Sequence, residues 1–137
     1  MSLLKKLQFG DNAFRKYNKE YLLSDYKCHV TRQHNEFRPR GEKRCERLVL
    51  TIVVPNKPEP EIYQWFVNQE LLSGRIVIEF PPQANNLGQD SKVLEFDGAL
   101  CYSIEEEYHI GNTQRRLLRL SLVAEKVVID EITFNRL

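Results

Sequence analysis

Residues 92–126 read KVLEFDGALCYSIEEEYHIGNTQRRLLRLSLVAEK. Apolar and polar side chains alternate along both halves, which is the period of a half-buried strand and not of a helix. In the first half Leu94, Phe96, Leu100, Tyr102 and Ile104 share one face, opposed by Glu95, Asp97, Ala99, Cys101, Ser103, Glu105 and Glu107. In the second half Leu118, Leu120, Leu122 and Ala124 are expected inside, with Arg119, Ser121 and Glu125 outside. Ile110-Gly111-Asn112-Thr113 reads as the turn between them. A hairpin that sets Ile104 opposite Leu120, Tyr102 opposite Leu122 and Glu105 opposite Arg119 pairs apolar with apolar and acid with base. Gly98 is the expected site of a bulge or bend.

Working outward, 75–80 is a strand with Ile76, Ile78 and Phe80 on one side, followed by a surface loop that opens with Pro81-Pro82 and runs through Ser91. Before it, EPEIYQWFVNQELL at 59–72 is the one clear helix. Pro58 and Pro60 suit its start, and Ser73-Gly74 its stop. Ile62, Trp65 and Phe66, continued by Gln69, form the packing face, widened by Tyr63 and Val67. Residues 44–54 are strand-like, with Leu48, Leu50, Ile52 and Val54 on the core side. Gln33 to Lys43 holds Pro39 and Gly41 and little apolar content beyond Phe37, which predicts an irregular projecting loop. From Tyr21 another strand alternates, with Leu22, Tyr26, Cys28 and Val30 on one face. Leu3 to Phe9 reads as a first strand, Gly10 to Glu20 as a connection, and Val127 to Phe134 as a last strand. The fold class is therefore mainly β: an antiparallel β-barrel or compact sandwich of about seven strands with one flanking α-helix, since closure removes exposed edges.

At 137 residues the chain has the size of a single domain, 1–137. Twenty Lys and Arg against 19 Asp and Glu leave a net charge of +1, so any charge-driven partner must use a local patch. The three cysteines, Cys28, Cys45 and Cys101, make no CxxC pair and read as reduced, buried thiols of a cytosolic protein. MSLLKKLQFG lacks the apolar run of a signal peptide, and no stretch approaches the length of a membrane span, so membrane insertion is not expected.

Chemistry-bearing residues lead to no catalytic, cofactor or metal site. Cys28 and His29 are neighbours on a strand and point to opposite faces, so they cannot share an ion, and His34 with Cys45 offers no further convergent ligands. Glu105 and Glu107 face the arginine-bearing strand as a solvated ladder. No glycine-rich phosphate loop, HExxH or GxSxG occurs, and an enzyme is not expected. Arg32, Arg38, Arg40, Lys43, Arg44 and Arg47 surround Phe37, a pattern open to nucleic acid or to a protein partner. Glu36, Glu42 and Glu46 dilute that charge, which favours a solvated or protein-docking loop.

The order of pieces resembles a known family: Tyr21-Leu22-Leu23 on the second strand, the long loop, WFVN at 65–68, SGRIVIEF at 73–80, LEFDGALCYSIEEEY at 94–108 and the Gly111-Asn112 turn. Together they are similar to the Hcp-type tube proteins of type VI secretion, most of all their Bacteroidetes branch, a family related in architecture to the tube proteins of contractile phage tails. The resemblance covers nearly the whole chain and rests on structural residues, not a catalytic signature. It implies a barrel that forms hexameric rings, stacked into a tube that a contractile sheath expels. It further implies a capping spike protein, effectors carried in the lumen, and a protein that is cytoplasmic before firing and then secreted without a cleaved leader. In that family the long loop reaches the neighbouring ring, which here assigns Phe37, Arg38, Pro39 and Arg40 to ring stacking. The alternative is a non-tube binding module or nucleic-acid-binding β-barrel that uses residues 32–47.

Overall fold

The computed structural model describes residues 4–35, 38–54, 58–80, 91–109 and 115–135, with side chains over 5–30, 47–54, 58–80, 91–108 and 116–134. In chain order the elements are β1 (Leu4–Asp11), β2 (Lys16–Asn35), β3 (Arg38–Val54), α1 (Pro60–Val67), β4 (Leu72–Glu79), β5 (Ser91–His109), β6 (Arg115–Ile129) and β7 (Ile132–Asn135). The strands are ordered β3-β2-β1-β4-β5-β6-β7, and a further β3–β6 pairing closes the first six into an antiparallel barrel. β7 extends β6 beyond the stretch that β3 occupies. Closure leaves the six barrel strands no free edge along the paired stretches.

The core is the inner face of that barrel. Leu48, Leu50, Ile52 and Val54 of β3 are buried against Leu118, Leu120, Leu122 and Ala124 of β6, the faces that alternation predicts. Phe9 anchors an aromatic cluster by edge contacts to Tyr21, Trp65 and Phe96 at 6.1, 5.4 and 6.2 Å between ring centroids. The helix lies where β3 ends and β4 begins. Ile62 and Trp65 are buried, and the Trp65 indole donates a 3.0 Å hydrogen bond to the Ala99 carbonyl of β5.

Where faces differ from simple alternation, a bulge is the cause. In β2 the pairing with β3 slips at Ser24, so Tyr21 and Leu23 are buried and Tyr26 and Cys28 then take over the inner side. Leu22, expected inside, is 50% exposed. Val30, expected on the same face, is also exposed, where a further slip follows His29. In β5 the bend expected at Gly98 is present: its φ is +61°, and beyond it Ala99 and Cys101 are buried in place of Leu100 and Tyr102. Glu125 lies across from Gly98, and β6 changes phase in step, from Ala124 to Val127. A second slip at Tyr102 leaves that ring 46% exposed and sets Cys101, not Tyr102, opposite Leu122. Ile104 does face Leu120 and Glu105 does face Arg119.

The helix is shorter than 59–72. It ends at Val67, where Asn68 donates to the Gln64 carbonyl and Gln69 takes the left-handed conformation at φ +53°. Ser73 and Gly74 already belong to β4, and Gly74 serves a close approach: a Cβ there would stand 2.3 Å from the Gln8 carbonyl oxygen of β1. Two turns of helix bury only a narrow strip, so Phe66, expected to pack, is 40% exposed. The single strand expected at Val127 to Phe134 is divided by a two-residue turn, Asp130-Glu131, between β6 and β7. The expected connection at Gly10 to Glu20 is likewise mostly strand, with the turn confined to 12–15.

Candidate assembly surfaces

The residues expected in an irregular loop at Gln33 to Lys43 are strand wherever the backbone is described. Asn35 pairs with Arg38, His34 with Pro39, Arg32 with Lys43 and Thr31 with Arg44. Among the described residues β6 joins β3 over Leu48–Val54, so 31–35 and 38–44 form a two-stranded ribbon extending past the barrel. Proline fits there because β3 pairs on one side alone. Phe37 lies outside the described residues, and for Arg38, Pro39 and Arg40 the backbone alone is described.

Two rows on the outward face of β2, β3, β6 and β5 are wettable. One row runs Asp25, Thr51, Arg119, Glu105, and its neighbour Lys27, Val49, Ser121, Ser103. A groove of about 260 Å³ lies over them, lined by Asp25, Lys27, Arg47, Glu105 and Arg119 among others. Arg119 and Glu105 approach to 3.9 Å, both well exposed, so they form a solvated pair of small energetic weight. Across β4, β1 and β2 the outer polar groups bond to one another. Arg75 donates to Gln8 at 2.7 Å, Gln8 donates to Glu20 at 2.8 Å, and the Arg75 guanidinium sits 4.2 Å from the Tyr17 ring centre.

Three polar anchors escape an alternation reading. Arg116 shares the parity of Leu118 and Leu120, and its side chain is only 10% exposed. Burial opposes its charge, and hydrogen bonds to Tyr63 and Glu106 outweigh that, tying the helix to β5 and β6. Its parity is the signal that marks it: a cation on an inward face requires partners. Asn12, in the turn after β1, donates to the carbonyls of Gly74 and Phe96 at 3.0 Å each and to Asp97 at 3.1 Å, while accepting 2.6 Å from the Tyr17 hydroxyl. Glu59, buried ahead of the helix, accepts from the Tyr21 hydroxyl at 3.3 Å and meets Lys19 at 3.9 Å. Burial first, and Glu59 second, hold the Tyr21 hydroxyl protonated well above its ordinary range.

The residues weighed for chemistry are dispersed. Cys28 is half-buried and packs on the core, His29 is exposed, and Cys101 is buried. The side chains of His34 and Cys45 lie outside the described residues. Among the described residues no three His, Cys, Asp or Glu side chains gather as metal ligands, and no helix is long and apolar enough to cross a membrane.

A closed barrel of long strands, one short helix and a projecting ribbon is an architecture shared with known proteins. Residues 1–136 match the family model of hemolysin coregulated protein Hcp (TssD). The chain belongs to the Hcp family. It is a component of a type VI secretion tube. The fold is similar to Hcp1 from Flavobacterium johnsoniae, with a TM-score of 0.66 at 15% identity over 97% of this chain and 99% of that one. That protein is from Bacteroidetes, the branch the sequence resembles. The fold is also similar to Hcp1 from Salmonella typhimurium, at 0.65 and 8% identity over 92% and 85%, and to the secreted protein Hcp3 from Pseudomonas aeruginosa, at 0.54 and 11% over 98% and 95%. No protein of curated function matches the sequence. The nucleic-acid or separate binding-module alternative is not favoured.

Proposed function

We propose that the whole chain, 1–137, is the repeating unit of hexameric rings that stack into the inner tube. A contractile sheath drives that tube outward, a spike protein caps it, and effector proteins ride in its lumen. The chain waits in the cytoplasm until firing and then leaves the cell with the tube. The role is mechanical, and no catalytic step is assigned to it. The observation that carries this reading is the pairing of a family match over 1–136 with a barrel whose apolar side chains fill its interior and whose outward face on β2, β3, β6 and β5 carries two rows of mostly small and charged side chains. Such a unit has a core of its own, a wettable wall and separate patches left for neighbours, which is what a closed cyclic assembly requires.

Ring stacking is assigned to the β2–β3 connection through Phe37, Arg38, Pro39 and Arg40. Changing Phe37, Arg38 and Arg40 together to Ala is expected to leave rings intact and abolish their stacking. Sedimentation velocity with negative-stain imaging reads both, and stacks of undiminished length in that variant would sink the assignment.

A further inference from the structure

Two surfaces of opposite character lie at opposite ends of β3. The start of β3 is basic: Arg38, Arg40, Lys43, Arg44 and Arg47 stand against Glu42 and Glu46. After its end comes the helix and its exit, 58–72, which holds Glu59, Glu61 and Glu70 and no Lys or Arg. Lys19 approaches Glu59 and Glu61 at 3.9 and 3.3 Å, and Glu70 stands exposed beside Leu71. This acidic end also bares apolar side chains, with Phe66 exposed and Val67 and Leu71 at 69% and 56%. Large apolar side chains exposed together on one short segment suit a contact surface.

We infer that the exposed apolar side chains of Phe66 and Val67 at the end of the helix and of Leu71 in its exit, on a segment that also carries Glu61 and Glu70, form the receptor for the basic β2–β3 ribbon of a second copy of this chain. This deepens the stacking assignment above and rests on it. The ribbon cannot reach the helix of its own chain: β3 runs from Arg40 to Val54 between them, on the order of 40 Å at about 3.3 Å per residue. Complementary patches at opposite ends of one subunit make a head-to-tail contact that repeats along an axis, as in a stack and not in a closed pair. A two-stranded ribbon is marginal in water by itself, and an apolar seat would give it the third side it lacks. Exposed ion pairs contribute little each, so Val67 and Leu71 supply most of the attraction while the charges set polarity and partner.

The test compares wild-type protein with three variants by sedimentation velocity and negative stain, after equal melting temperatures have shown each to be folded. The helix variant is Glu61→Lys with Glu70→Lys, the ribbon variant Arg38→Glu with Arg40→Glu, and the third combines all four. Each reversal alone is expected to raise the protein concentration needed for stacking at least tenfold, and the combination to recover most of that loss. Stacking equal to wild type in the helix variant, or no recovery in the combination, overturns the inference. Rings that never stack, wild type included, overturn it and leave the ring reading standing. A wild-type chain that stays monomeric throughout overturns the ring reading and the inference together.

Discussion

Trp65 joins the helix to the barrel through both its ring and its nitrogen. It is fully buried, edge-on to Phe9, and bonded to the Ala99 carbonyl. Trp65→Ala is expected to cost about 3–5 kcal/mol as a core truncation, measured by urea denaturation. A loss below about 1 kcal/mol would mean the ring is not held as described. Cys101 gives a second test at this scale. Burial pushes its thiol up to about 11 from an ordinary value near 9, so the folded chain keeps the proton that the unfolded chain has released. Its contribution to stability is therefore whole below about pH 9 and is lost as pH rises toward 11. Alkylation at pH 8 followed by mass spectrometry should find Cys101 at least roughly a hundredfold slower in folded than in unfolded protein, because only the thiolate reacts. Equal rates would place the thiol at the surface. Burial of Trp65 was legible from its position on an amphipathic stretch, whereas Arg116 was hidden because a single charge within an apolar period reads as noise until its partners, Tyr63 and Glu106, are known.

At the scale of elements, the strands were legible and their phase was not. Alternation places the inner faces of β3 and β6 correctly, and it locates the bend at Gly98, where glycine supplies the left-handed φ. The slips at Ser24 and Tyr102 carry no glycine or proline to mark them, so the faces after them were misread. Gly74 looked like a helix stop because close approach to the β1 backbone leaves the same mark in a sequence as a left-handed cap. The ribbon's charge was plain, but its pairing was not, since Arg38, Pro39, Lys43 and Arg44 take their partners from β2. The turn at Asp130-Glu131 holds both residues at positive φ, +50° and +69°, which glycine and asparagine adopt more easily. Asp130→Asn with Glu131→Gly is expected to stabilise the chain by about 1 kcal/mol by thermal denaturation. A loss of stability would show that the acidic side chains hold this hairpin, for instance through the 3.6 Å pair of Asp130 with Lys92.

For the whole molecule, the chain carries almost no net charge yet separates its local charges, basic at the ribbon and acidic at the helix, with a mixed face between. That distribution does little for a lone monomer and suits a subunit that meets copies of itself at defined places. Family and fold rest on structural residues spread along the chain, so they were readable in combination. The seats of neighbouring copies were not, because side chains such as Phe66 are apolar whether they face a core or a partner. The most direct test of the central claim is the mass and symmetry of the purified protein in solution, by light scattering with negative-stain averaging. Particles near six times the chain mass that average to six-fold rings are the expected result, whereas a strict monomer across a wide concentration range would contradict it.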